Sequence, residues 1–197
     1  MSVLAYMKKN VSTDLPVAQP DICLSSLPLC PGLLKQLLWN TNCKNTGSFI
    51  PSSTPVILCI GTDRLIGDSL GPLTGSLLEK RAGKSFSVYG TLEKTVHACN
   101  LDKTLSQIKK KHPYSTVIAV DASLGTQYKV GSVFIRPGSL KPGMGVSKDL
   151  PAAGDISITG IAGVQNSQPY LTLQTTRLSL IMAMAEEICA CILAVCG

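Results

Sequence analysis

Two short apolar runs without a polar break constrain the fold of this chain more than any other feature. Val56 to Ile60 is closed by Gly61, and Thr116 to Val120 ends directly at Asp121. Uninterrupted runs of this length are typical of strands that are buried on both faces of a sheet. Leucine and isoleucine residues at helical spacing lie between the two runs: Leu70, Leu73, Leu77, Leu78, Leu101, Leu105 and Ile108.

The rest of the pattern extends this plan. It predicts a helix from Pro31, a connection over residues 40–54, strands at Phe86–Leu92, Val130–Ile135 and Ile156–Thr159, and a long C-terminal helix. Strands and helices that alternate in this way predict an α/β fold, with three layers (α/β/α) and a mostly parallel, twisted sheet. We expect residues 1–50 to form an N-terminal arm and helix, partly irregular, and residues 51–197 to form one α/β domain.

The C-terminal stretch from Leu178 to Cys196 is strongly apolar. It is also about as long as a helix that crosses a bilayer, roughly 20 residues. However, Glu186 and Glu187 lie near its middle, where two carboxylates are costly in hydrocarbon. Its most apolar residues recur at helical spacing. We therefore expect an amphipathic helix buried in the domain, and no membrane partner.

The amino-acid composition excludes several classes of protein. The chain has 197 residues, of which 45% are hydrophobic and 15% charged, which excludes a disordered protein and suits one buried core. The eight cysteines form no CxxC pair and no zinc-finger spacing with a histidine, so neither a metal site nor a disulfide framework is predicted. No secretory signal is visible near the N-terminus, which predicts a cytoplasmic protein.

The net charge of +6 is moderate and favours an acidic or mixed-charge partner. The densest basic run, Lys109 to His112, comes at the expected end of a helix, where positive charge complements the helix dipole. A nucleic-acid-associated factor that uses Lys109 to Lys111 stays open as an alternative. Aromatic residues make up only 5% of the chain, which argues against stacking on single strands and so against a nucleic-acid partner.

Two aspartates lie at the edge where open α/β sheets bind their ligands. Asp68 is in the loop after the first apolar run, and Asp121 directly follows the third predicted strand. If these strands are neighbours, the two carboxyls share a site, and repulsion keeps one of them protonated near neutral pH. We expect Asp68, before a helix N-terminus, to be charged and Asp121, after an apolar strand, to hold the proton. Such a pair can activate water and polarise a carbonyl without a metal.

Simpler roles are open for both residues. Asp68 can cap the helix that begins near Leu70, although Pro72 is best placed in the first turn, ideally at the first helical position, which would move the cap to Gly71. Asp121 can bond the amides of a turn. Four further residues are candidates for substrate binding: Asp63, Arg64, Gly67 and Asp155. An exposed ion pair between the first two and a turn role for the last are the plainer interpretations.

The stretch CIGTDRLIGDSLGPLTGSLL, with VIAVDASLG further along, resembles the germination protease that degrades small acid-soluble spore proteins. In that family, aspartates in matching positions form the catalytic carboxylate pair, and the resemblance assigns this role to Asp68 and Asp121. The stretch KPGMGVSKDLPAAGDISITGI is a looser match. The smaller spore proteases of the YyaC family are more similar: they share the GDSLGP turn, the GDISITG strand and the LQTTRLSL helix start, and this resemblance covers roughly residues 55–190.

Hydrogenase-maturation endopeptidases are similar at a greater distance. They recruit a metal with acids that match Asp68 and Asp121 and with a later histidine, whereas His97 and His112 both precede Asp121 here. The resemblance therefore implies a fold like theirs and an aspartic endopeptidase without metal or cofactor.

The implied substrate is a small protein or peptide, such as a small spore protein, cleaved inside the forespore or spore during sporulation or germination. The alternative is a catalytically inactive sporulation protein that binds a protein partner with the same fold. The apolar C-terminal helix leaves a homo-oligomer open.

Overall fold

A computed structural model describes residues 22–23, 30–46, 54–83, 85–142 and 150–196. Most of the predicted N-terminal arm and residues 143–149 of the glycine-rich stretch lie outside this part of the chain. The strands are β1 (Ile22–Cys23), β2 (Val56–Cys59), β3 (Ser87–Tyr89), β4 (Val117–Gly125), β5 (Val133–Pro137) and β6 (Ile156–Val164). The helices are α1 (Cys30–Thr46), α2 (Leu70–Ala82), α3 (Leu101–Lys111), α4 (Pro169–Thr175) and α5 (Leu178–Cys196).

The six strands form one sheet in the order β1-β5-β6-β4-β2-β3. Its pairs among β3, β2, β4 and β6 are parallel, whereas β5 is antiparallel to both β6 and the two-residue edge strand β1. The apolar side chains of β2 alternate between two cores. Ile57 and Cys59 pack with α1, α2 and α5, whereas Val56 and Leu58 pack with α3 on the opposite face. Helices therefore cover both faces of a mostly parallel sheet, which confirms the predicted three-layer α/β/α fold.

The chain reverses its direction of winding at β2. From β2 it passes through α2 to the edge strand β3, and it then returns through α3 to β4 on the other side of β2. The carboxyl ends of β2 and β4 therefore flank a topological switch point, where open α/β sheets bind ligands. The strand adjacency on which the prediction of a shared carboxylate site depended is present, since Cys59 pairs with Val120.

Several element bounds differ from the prediction. The helix α1 continues to Thr46, into the segment that we predicted as a connection, and there Oδ1 of Asn42 accepts a hydrogen bond from the hydroxyl of Thr116. Such tertiary contacts outweigh weak helix propensity. The strand predicted at Phe86–Leu92 is shorter in the structure, where β3 spans Ser87–Tyr89. The strand β5 begins at Val133 and not at Val130, because a strand extends only as far as a neighbouring strand pairs with it. The short helix α4 was missed because its seven residues give little periodic signal.

The largest correction concerns β4, which continues past Asp121 to Gly125. The sequence pattern predicts a strand end at Asp121, because apolar residues give way to polar ones there. The extension exists because β6 is also nine residues long and pairs with β4 along this whole stretch. Asp121 therefore lies within a strand and not in a turn after it.

The helix α5 is long and apolar enough, by length and composition, to cross a membrane. In the structure, one side of it is buried in the larger core: Ile181, Met184, Ala185, Ile188, Cys189, Cys191 and Ile192. Glu186 forms a two-bond ion pair with Arg81 of α2, with Nη1–Oε2 and Nη2–Oε1 distances of 2.6 and 2.9 Å. These contacts agree with the predicted amphipathic core helix.

Candidate active site

Asp68 ends a 3-10 turn, Ile66–Asp68, directly before α2. Its carboxylate Oδ2 accepts a 2.8 Å hydrogen bond from the Thr62 N–H, so the side chain closes the loop in which it lies. The residue at the N-cap of α2 is Ser69, and Pro72 occupies the third helical position instead of the first. The capping role considered for Asp68 is therefore wrong, and Pro72 lies in the first turn as predicted but not at its first position.

Two glycines allow α2 to begin against the end of β2. A Cβ atom on Gly71 would lie 2.1 Å from the carbonyl oxygen of Ile60. Gly61 has a φ of 140°, and a Cβ atom on it would lie 2.1 Å from the carbonyl oxygen of Asp68. Because only glycine fits so close to another backbone, these two positions hold the Asp68 turn over the end of β2.

Asp121 is only 7% exposed and lies within β4. One carboxylate oxygen, Oδ1, accepts a 2.9 Å hydrogen bond from the N–H of Ala122. The other oxygen, Oδ2, has no hydrogen-bond partner in the described part of the chain, where every fully buried side-chain oxygen has one. Oδ2 therefore reaches the surface of the site and can contact water or a ligand.

The backbone brings the two aspartates together. The N–H of Ile60 donates a 2.8 Å hydrogen bond to the carbonyl oxygen of Val120, so the loop after β2 starts beside Asp121. Thr62, two residues further along this loop, binds the carboxylate of Asp68. The 3-10 turn also packs on β4, β6 and α4. The two aspartates that the sequence singled out thus lie at one site.

Burial raises the pKa of both carboxyls, and the charge of Asp68 raises that of Asp121 further. Desolvation raises the pKa of Asp68 from 3.8 to about 6, against the opposing effect of the Thr62 hydrogen bond. The pKa of Asp121 is raised well above its ordinary value, first by burial and then by the charge of Asp68. For Asp68, burial outweighs the helix N-terminus that we expected to favour its charge. Near neutral pH, repulsion between two close carboxyls favours a pair that shares one proton, and the assignment of that proton to Asp121 stays a prediction.

The structure brings together fewer of the secondary candidates. Asp63 and Arg64 are exposed in the loop beside Asp68, and neither is part of the ion pair found among the described residues. Gly67 is buried, and a Cβ atom on it would lie 2.7 Å from the side chain of Leu173 in α4. Gly67 therefore helps to position the turn that carries Asp68 by packing, and its contact with substrate stays a prediction.

Asp155 lies at the other end of the sheet. Its Oδ2 accepts a 2.9 Å hydrogen bond from the N–H of Val117, at the start of β4. Four strand residues, about 13 Å, separate this position from Asp121. The structure therefore does not bring Asp155 to the carboxylate pair, and the turn role that we considered for it fits its contacts.

Both histidines contact groups other than the two aspartates. The Nε2 atom of His112 is 3.1 Å from the hydroxyl of Tyr89, and the Nδ1 atom of His97 accepts a 3.2 Å hydrogen bond from the N–H of Cys99. The sequence analysis missed one neighbour of the site, Thr159 of β6, which is the register partner of Asp121. Its only sequence signal was its place in a predicted strand, and strand pairing cannot be read from that.

These features define the class of the molecule: a doubly wound α/β domain with one buried and one half-buried carboxylate at its switch point. A family model described as "Protein of unknown function (DUF1256)" matches residues 34–191, and the chain belongs to this family. It is 52% identical over 131 residues to "Uncharacterized protein YyaC" of Bacillus subtilis (strain 168). That match covers 66% of this chain and 64% of the relative's length. The predicted likeness to the YyaC family is thus confirmed, whereas its link to the germination protease stays a prediction.

Proposed function

We propose that this protein is an endopeptidase that cleaves a small protein substrate with Asp68 and Asp121, without a metal. The observation that carries the proposal is the carboxylate pair at the switch point, with Asp121 buried, Asp68 half-buried and the pKa of each raised. The resemblance to spore proteases supplies the biological setting: a cytoplasmic enzyme of the forespore or spore that acts on small spore proteins.

The protonation of the pair suits hydrolysis of a peptide bond. Ionised Asp68 takes a proton from a water molecule as its oxygen attacks the scissile carbonyl carbon, and Asp121 gives its proton to the carbonyl oxygen. The tetrahedral diol collapses when Asp68 passes the acquired proton to the leaving amide nitrogen. Asp121 recovers a proton from the diol hydroxyl as the new carboxyl group forms. Both aspartates return to their starting states, and one water molecule is consumed.

This mechanism predicts a bell-shaped pH dependence. The rate rises as Asp68 ionises, with an apparent pKa of about 6, and falls when Asp121 loses its proton at higher pH. Asp68→Asn and Asp121→Asn should each lower the cleavage rate by roughly a hundredfold or more, since each removes a proton-transfer group. The measurement is cleavage of purified small spore proteins between pH 5 and pH 9, followed by mass spectrometry. Asp102→Asn, on the exposed side of α3, is the matched control and should retain the wild-type rate.

Two results would contradict the proposal. One is wild-type protein that cleaves none of these substrates at any pH tested. The other is Asn variants that cleave as fast as the wild type, which would separate the aspartates from any activity.

One observation favours the alternative of a non-catalytic binding protein. Each aspartate already uses one carboxylate oxygen to accept a backbone N–H in its own segment, as a structural residue would. If that were their whole role, Asn substitution would weaken folding and leave partner binding intact. The peptidase and the binding protein therefore predict different stabilities of the Asn variants as well as different activities.

A further inference from the structure

The strand β4 continues beyond the end of its neighbour β2. The pairing of these two strands ends at Cys59 and Val120, with one further hydrogen bond of 2.8 Å from the N–H of Ile60 to the carbonyl oxygen of Val120. On its other side, β4 stays paired with β6 as far as Gly125. Among the described residues, no backbone group pairs with residues 122–125 on the side of β2. We call this stretch the β4 edge.

Alternate residues of the β4 edge direct their backbone groups to this open side. The carbonyl oxygen of Val120 points toward β2, whereas that of Gly125 accepts a 2.8 Å hydrogen bond from the N–H of Gln165, directly after β6. Backbone groups of successive residues in a strand alternate between its two sides. Ala122 and Leu124 therefore point their N–H and C=O groups toward the open side.

These backbone groups are only partly satisfied. The N–H of Ala122 binds the carboxylate of Asp121, and the carbonyl oxygen of Leu124 accepts a 3.3 Å hydrogen bond from the hydroxyl of Ser123. No described residue bonds to the Leu124 N–H or to the Ala122 carbonyl oxygen on this side. The β4 edge is half-buried, whereas the four residues before it are buried. Solvent or a ligand therefore has access to groups that a neighbouring strand would otherwise bind.

The β4 edge begins at the carboxylate pair. It directly follows Asp121, and the loop that carries Asp68 leaves β2 at the same level. This loop turns away from β4, since the N–H of Gly61 binds the carbonyl oxygen of Val96 on the opposite side of β2. A peptide that lay along the β4 edge would therefore continue the line of β2 past the two carboxyls.

We propose that an extended segment of the substrate binds along the β4 edge as an added strand; that this segment is a substrate rests on the proposed function. The Leu124 N–H donates a hydrogen bond to the segment, and the carbonyl oxygens of Ala122 and Leu124 accept hydrogen bonds from it. Addition of a strand to a sheet edge is a recurring mode of peptide recognition, in which main-chain hydrogen bonds supply the affinity. The four residues span about 13 Å, which is enough for a short stretch of unfolded polypeptide.

The first test uses the backbone of the ligand. Immobilised Asp68→Asn protein captures peptides from a randomised nine-residue library, and one captured peptide is then made with a single N-methyl group at each position in turn. Methylation at alternate positions should weaken binding about tenfold, because only every second N–H of a strand faces its neighbour. Methylation at the intervening positions should be tolerated. Failure to capture any peptide, or losses that do not alternate, would overturn the inference.

The second test locates the added strand by amide hydrogen exchange, followed by NMR on the same Asp68→Asn protein. The Leu124 amide should exchange fast in the free protein and at least tenfold more slowly with the peptide bound. The amide of Tyr114, which is exposed before the opposite end of β4, should not change. Protection of Leu124 in the free protein would mean that another segment of this chain or a second copy covers the edge, and it would refute the proposal. So would exchange that the peptide leaves unchanged.

A matched pair of variants checks the same hydrogen bond. In the Asp68→Asn background, Leu124→Pro removes the N–H on the open side and spares the ladder to β6, so it should weaken peptide binding about tenfold. Leu124→Ala keeps the N–H and should bind within about twofold of the parent protein. Equal binding by the two variants would count against the proposal. If a thermal melt shows that the proline variant does not fold, the exchange experiment decides.

The two proposals can fail separately. If the N-methyl pattern and the Leu124 protection are found but wild-type protein cleaves none of the captured peptides, the peptidase proposal fails and the β4 edge stands as a peptide-binding site. If wild-type protein cleaves small spore proteins and neither signature is found, only the assignment of the β4 edge fails.

Discussion

At the scale of single residues, burial is the main reason why both aspartates hold protons more tightly than they would in water. The rise of the Asp68 pKa from 3.8 to about 6 means that the folded protein binds this proton more strongly than the unfolded chain does. The contribution of this residue to the free energy of unfolding is therefore fully present below about pH 4, and it is lost as the pH rises through about 6. The loss is about 3 kcal/mol, and Asp121 adds to it in the same direction.

We therefore predict that Asp68→Asn stabilises the protein at pH 8 while it removes activity. The amide oxygen can still accept the Thr62 N–H, and no charge has to be buried. The free energy of unfolding should rise by up to about 3 kcal/mol at pH 8, and the difference from wild type should vanish near pH 4. Urea unfolding at the two pH values measures both. A variant that is less stable than wild type at pH 8 would instead indicate the structural role of the alternative function.

At the scale of elements, the site depends on how closely α2 approaches β2. The backbone at Gly71 touches the end of the strand at Ile60, and the 3-10 turn that carries Asp68 directly precedes the helix. On the other side of this turn, Leu173 of α4 packs on Gly67. Asp68 is thus held between a strand end and two helices, which fixes its carboxylate better than a free loop would.

We predict that Gly71→Ala destabilises the protein by about 2 kcal/mol or more and lowers activity. The new methyl group would overlap the carbonyl oxygen of Ile60, and rigid backbone cannot move aside as a side chain can. Gly32→Ala in α1 is the matched control, because nothing lies within 4 Å of its new Cβ atom. It should keep or slightly raise stability, since alanine favours helices by up to about 1 kcal/mol. Equal effects of the two substitutions in thermal melts would refute the close-packing explanation.

At the scale of the whole molecule, α5 joins the helices of one layer to the sheet. It packs against α1 and α2, and its buried face fills the larger of the two cores. The ion pair between Arg81 and Glu186 lies at the rim, where each side chain is 44% exposed, so its contribution to stability is small. Apolar burial, not this ion pair, holds α5 in place.

We predict that Ile188→Ala lowers the free energy of unfolding by about 2–5 kcal/mol, because it leaves a cavity in the main core. Leu178→Ala, at a position that is 52% exposed on the same helix, should change it by about 0.5 kcal/mol or less. Urea unfolding of the two variants measures the difference. Similar values for both would contradict the core packing of α5.

The sequence by itself determined the fold class, the helices α2, α3 and α5, the central strands β2 and β4, and the two aspartates. These follow from local signals: short apolar runs, helical spacing of leucines, and acidic residues placed after those runs. Pairing partners, by contrast, are far apart in the chain and have no local signal.

Only the tertiary structure therefore decided that β4 continues past Asp121, that Asp155 is remote from the pair, and that α4 supports the turn at Asp68. It also decided that Thr159 lies in register with Asp121, and that β4 extends beyond the end of β2 and so presents an edge beside the pair. The raised pKa values have the same origin, because they depend on burial and on the approach of two carboxyls that lie 53 positions apart (121 − 68) in the sequence. The identity of the acidic residues is thus local information, whereas their chemistry is a property of the folded molecule.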